Sequence, residues 1–114
     1  MVGSLRSGVR DAVVSVVTEI ELLVRPFREQ DAREIRQIGI VLDAPSIRVV
    51  ELDRTIARVA GRLRASYRLA LADAAIVATG IATSCDVVVG NDARCAERVR
   101  EVPYLLLDEL ARQR

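Results

Sequence analysis

The segment LALADAAIVATGIA, residues 69 to 82, carries a single charge, the carboxylate of Asp73. Burying an unpaired carboxylate costs on the order of several kcal/mol, so Asp73 either reaches solvent or meets positive charge. Other carboxylates border apolar runs. Glu19 and Glu21 follow AVVSVV (12–17), Asp92 follows DVVVG (86–90), and Asp86 opens that same run. The chain has no His, and all 17 of its basic residues are Arg. Ser-His-Asp and Cys-His catalysis, His-ligated zinc, a phosphate-binding loop lysine and Schiff-base chemistry are thereby excluded. Enzymatic work in this chain rests on carboxylates, hydroxyls, arginine or a bound metal.

The elements that must position these groups follow from pattern. With 114 residues, 51% of them apolar, the chain suits one domain with a real core. The β-branched and apolar runs 12–17, 47–52, 86–90 and 104–107 predict buried strands. Pro26 is expected to end or kink the segment TEIELLVRPF. Ala32, Ile35, Ile38 and Leu42 recur at helical spacing within 28–42. Asp53 is a predicted N-cap for a helix whose apolar face is Ile56, Val59, Ala60, Leu63 and Tyr67. On another face of that helix Arg54, Arg58 and Arg62 form a line. Residues 70–84 predict a buried helix, and NDARCAERV a short one opening at Asn91 or Asp92. Continuous apolar strands alternating with helices predict an α/β fold, a parallel β-sheet with helices on both faces.

In such sheets, sites gather beyond the C-terminal ends of the strands. Asp92 and the pair Glu19 and Glu21 follow strands and belong to that edge. Asp86 precedes its strand and belongs to the opposite one. A helix antiparallel to the strands begins at the C-terminal edge, and Asp73 falls in its first turn. Asp73, Asp92 and one of the two glutamates are therefore expected on one rim. Their mutual repulsion is relieved by a hard divalent cation, Mg²⁺ or Mn²⁺, held by oxygen ligands. Capping roles for Asp73 and Asp92, with the helix dipole as the stabilising charge, are the alternative.

The near-neutral balance, net charge +1, argues against gripping nucleic acid by bulk charge alone. Cys85 and Cys95 match no CxxC pattern. Isolated cysteines fit a reducing, cytoplasmic setting and ordinary packing roles. The opening residues lack the apolar core of a secretory signal, and no run approaches the ~18 apolar residues of a membrane span.

The stretches SVVTEIELLVRP, LALADAAIVATGIATSCDVVVGND and YLLLDEL together resemble the PIN domain, in particular the VapC-type ribonuclease toxins. The resemblance runs over about residues 8 to 110, so that 1–114 reads as a single PIN-like domain. Ser15, Thr18 and Glu21 match the Ser/Thr-x-x-Glu pattern at the end of the family's second strand, which selects Glu21 over Glu19. The resemblance implies an acidic pocket holding Mg²⁺ or Mn²⁺, with Glu21, Asp73 and Asp92 as catalytic and metal-binding residues, and Asn91 steadying the turn beside Asp92. It implies metal-dependent hydrolysis of RNA phosphodiester bonds. Arg54, Arg58 and Arg62, or Arg94 and Arg98, are candidates to hold RNA phosphates. It further implies an antitoxin partner and a homodimer, for which Val24, Pro26 and Phe27 are candidate exposed contacts.

The family's opening strand, which ends in a fourth acidic ligand, has no counterpart in MVGSLRSGVRDAVVS, so the domain reads as N-terminally incomplete. Strand 12–17 must then pair directly with 86–90 or leave a gap for a partner to fill, and ion binding and cleavage are expected to be weak. Three readings follow. The first is a ribonuclease of this type. The second is a catalytically inactive remnant that binds partners or oligomerises. The third is another small-ligand binder in which the aspartates merely cap helices.

Overall fold

The structure is a computed structural model and describes residues 11–90 and 99–106. Along them run β1 (Ala12–Ser15), α1 (Val16–Arg28), α2 (Ala32–Leu42), β2 (Ile47–Val50), α3 (Arg54–Tyr67), α4 (Leu71–Thr83), β3 (Val87–Gly90) and β4 (Tyr104–Leu106). The short helix expected from Asn91 onward, with Arg94, Cys95 and Arg98, lies outside the described residues, as does Asp92.

The strands form one parallel sheet in the order β2-β1-β3-β4. β1 pairs with β3 directly, Val14 standing opposite Val89 on one side and Val49 on the other. Of the two expected arrangements, direct pairing is therefore the one adopted. Its physical reason is that a gap would strand the buried amides and carbonyls of both valine strands, and pairing satisfies them.

Alternation sorts the strand side chains between two cores. Ala12, Val14, Val87, Val89 and Leu105 face one way and pack with Leu42 and Ile38 of α2. Val88 faces the other way, under Ile56, Ala60 and Leu63 of α3 and Ile76, Val77 and Ala78 of α4. Burial on both faces explains why these strands read as unbroken apolar runs. Each fully buried Val or Leu contributes roughly 1.5–3 kcal/mol.

In α4, Ala74 through Gly80 are buried without interruption, because the helix packs against β1, β3, α1 and α3 at once. A helix apolar all round is a buried helix. Its one buried hydroxyl, Thr79 Oγ1, donates to the Ala75 carbonyl at 2.8 Å. At Gly80 the helix meets the sheet. A Cβ there would stand 2.8 Å from Cβ of Val88 and 3.2 Å from Val102. Glycine is what lets α4 lie this close.

Several boundaries differ from the sequence expectation. β1 ends at Ser15 rather than at residue 17, since the Ser15 side chain accepts from the Val17 amide at 3.1 Å and opens α1. A cap outweighs the β preference of two valines. Pro26 does not end α1, which continues to Arg28. It stands two residues from the end of the helix, where the one intrahelical bond it removes leaves little helix beyond it to disrupt, and its ring is buried. α2 starts at Ala32 rather than Arg28. Gln30 takes a left-handed turn at φ 55°, and Asp31 accepts from the Glu34 amide at 3.0 Å. The predicted Asp53 cap is present, accepting from the Ile56 amide at 2.9 Å.

Candidate functional site

Two helices begin at the C-terminal edge of the sheet and carry the described candidates. α1 starts there because it follows β1 without a linker. α4 starts there because three residues join its end to the beginning of β3, while its length packs against β1 and β3. The two helices also pack on each other.

Asp73 is the only acidic residue in the first turn of α4, whose N-cap, Ala70, offers no side-chain acceptor. A carboxylate at that position is stabilised by the helix dipole. Its direction follows from spacing. Asp73, Ile76, Val77 and Gly80 lie at i, i+3, i+4 and i+7, one stripe, and Gly80 sits on Val88. Gly80 to Asp73 is about 10 Å along the helix axis. Val88 to Gly90 is about 7 Å along the strand. The half-buried Asp73 therefore stands at the level where the chain leaves β3, or slightly past it, on the sheet-facing side of α4.

On α1, Thr18 and Glu21 lie one turn apart on a shared face. Glu21 is exposed, and Glu19 is half-buried. Thr18 is 1% exposed, and its Oγ1 has no hydrogen-bond partner among the described residues. An orphaned buried hydroxyl near a helix start is a polar group left for something else to satisfy. The described candidates on this edge, Thr18, Glu21 and Asp73, offer oxygen donors, a type that suits Mg²⁺ or Mn²⁺. Among the described residues no three acidic or cysteine side chains stand close enough to share one ion. Asp92, the third expected ligand, lies outside them.

One group on this edge escaped the sequence reading. Gly90 closes β3, and a Cβ on it would collide with the hydroxyl end of the Tyr104 ring. Tyr104 begins β4, packs against the α4-side core and reaches forward along the sheet. Its phenol thus lies over the last residue of β3, on the face that also carries Asp73. A glycine just before a motif turn was the available signal.

Of the arginines, Arg54 and Arg58 are exposed on α3. Arg62 is engaged, its guanidinium gripping Glu101 at 2.8 and 3.3 Å while Tyr67 donates to the same carboxylate at 3.0 Å. Arg62, and then Tyr67, hold Glu101 below the usual carboxylate range. Of the expected contact residues, Val24 and Phe27 are exposed at 46% and 60%, whereas Pro26 is buried. Ile20, 61% exposed, joins the first two at spacings of four and three. No helix among the described residues is long and apolar enough to cross a membrane.

The family model for the PIN domain matches residues 3–102. No curated protein matches the chain. Among solved structures, it is similar to a chain of a toxin-antitoxin complex from Klebsiella pneumoniae, with a TM-score of 0.62 and 20% identity, over 79% of this chain and 70% of that one. It is also similar to a chain of the DNA-bound VapBC from Salmonella typhimurium, with a TM-score of 0.57 and 20% identity, over 82% and 74% of the two chains. At these identities the likeness is one of fold.

Proposed function

This chain belongs to the PIN domain family, and we propose that it is a divalent-metal-dependent endoribonuclease of the VapC toxin type. The observation that carries the reading is the placement of Asp73. The lone carboxylate of an apolar helix sits in its first turn, on the sheet-facing stripe, level with the end of β3. That is where an open parallel sheet presents its ligands. Glu21 and Asp92 complete the set that would hold Mg²⁺ or Mn²⁺. When bound, such an ion polarises the phosphodiester and offsets the charge that builds on it. The chain's own groups do the rest. A carboxylate of the set orients the attacking water and accepts its proton. Arg54 and Arg58 attract the RNA backbone, a contribution that weakens with salt.

The test is calorimetric titration with Mn²⁺ alongside cleavage of single-stranded RNA. Asp73→Asn and Asp92→Asn should each lose ion binding while the fold persists. Unchanged Mn²⁺ affinity in both variants sinks the acidic site.

A second reading, an inactive module that binds partners, is favoured by the exposed stripe Ile20, Val24 and Phe27 on α1. Apolar side chains at this spacing suit the groove or helix face of a partner. Extending the toxin-antitoxin neighbour to this chain makes that partner an antitoxin; a homodimer and a cytoplasmic setting are proposed with it on the family resemblance alone. Tight partner binding with no Mn²⁺ binding and intact RNA would select this reading over the first.

A further inference from the structure

We propose that Tyr104 is a substrate-positioning residue of the acidic rim, its hydroxyl donating a hydrogen bond to a non-bridging phosphate oxygen of RNA lying against the carboxylates. This rests on the nuclease reading and adds to it a group on β4 that carries no formal charge.

Three features of the structure converge on it. Gly90 has no side chain, and the space a Cβ would occupy is filled by Oη and Cζ of Tyr104, with Cε2 3.0 Å from that point. Glycine is a poor strand residue, so its place at the end of β3 is explained by what it admits. The Tyr104 ring is half-buried against the α4-side core, which anchors it, while the phenol end advances along the sheet toward the C-terminal edge. A tyrosine with an apolar body and a polar tip is suited to that position. Lastly, Val88, Gly90 and Tyr104 share the face covered by α4, and the same face carries Asp73 just past the end of β3. Phosphate bound between β3 and the start of α4 would meet the carboxylate rim, through its ion, on one side and the phenol on the other. A neutral donor there adds a contact without adding to the repulsion among the acids.

The chain has two tyrosines and no tryptophan, which makes the proposal directly readable. Terbium(III), a hard oxygen-seeking ion, is added to the full chain and its luminescence excited through tyrosine. Emission should fall several-fold in Tyr104→Phe, persist in Tyr67→Phe and vanish in Asp73→Asn. Binding of a single-stranded uridine 12-mer is then measured with Ca²⁺ in place of Mg²⁺. Tyr104→Phe should weaken it roughly ten-fold, with ion affinity and melting midpoint unchanged. A purely structural tyrosine would move the midpoint or the ion affinity instead. Emission that survives Tyr104→Phe but is lost in Tyr67→Phe, or RNA affinity equal to the wild type, overturns the role of Tyr104 and leaves the acidic site standing. Failure of the wild-type chain to bind any ion overturns the nuclease reading, and this proposal with it.

Discussion

At the N-terminal edge of the sheet, carboxylates hold the fold. Asp86 accepts from the Asp11 amide at 2.9 Å, the Asp86 amide donates back to the Asp11 carbonyl at 3.1 Å, and Arg48 closes on the Asp11 carboxylate at 2.8 Å. These contacts tie β1, β2 and β3 together at the ends where they start. Cys85 stands beside them, and burial pushes its thiol up, away from reactivity. At the C-terminal edge the same residue types stand at helix starts, and the edge also carries an orphaned hydroxyl and a tyrosine laid over a glycine. An acidic residue before a parallel strand meets neighbouring amides and the charges of adjacent strands. One that follows a strand, or opens the helix running back, is delivered to the mouth of the sheet. The difference teaches that a carboxylate's place in the connectivity says more about its use than its local sequence does.

The largest effect expected from breaking this arrangement comes from Gly80→Val. It forces branched carbons against Val88 and should cost roughly 3 kcal/mol or more in denaturant-induced unfolding, with Asp73 displaced from its level and ion affinity lost as well. Asp73→Asn sharpens the contrast. Mn²⁺ binding should disappear, while stability falls by about 1 kcal/mol or less, the value of a charge at a helix start. Arg48→Ala does the reverse at the other edge. Its ion pair is substantially solvated, so unfolding should shift by about 1 kcal/mol or less with Mn²⁺ affinity unchanged. A loss of ion affinity in Arg48→Ala would mean the two edges are not independent. The smallest effect belongs to Glu101. Its carboxyl is held below the usual range, so its stabilising contribution is fully present above the unfolded carboxylate range, about pH 4.3. That contribution is lost as pH falls through the lower folded value. Glu101→Gln should flatten that part of the acid limb of stability against pH, by a small loss at neutral pH with no change below the folded value.

Much of the fold was legible. Valine runs announced strands buried on both faces, and Asp53 announced its helix. The apolar stretch after residue 69 announced a helix buried all round. The errors were local contests. Val16 and Val17 look like strand until the Ser15 side chain is seen to cap them. Residues 28–31 look helical until Gln30 turns left-handed and Asp31 restarts the helix, although Asp31 and Glu34 already had the spacing of a capping box. Within the candidate site, Asp73 was legible because one charge in an apolar segment stands out. Thr18 was visible only as part of a motif, and its unsatisfied hydroxyl is a property of packing.

The amino-acid sequence alone determined the available chemistry, since a chain with no His, no Lys and two isolated cysteines is left chiefly with oxygen donors and arginine. It also determined the alternation of strands and helices, because hydrophobic period and caps act over a few residues. Only the tertiary structure decided that β1 pairs with β3, that Gly80 brings α4 down onto Val88, and that Tyr104 lies over Gly90. These contacts join segments far apart in the chain. Their register is set by close packing, which no local periodicity encodes.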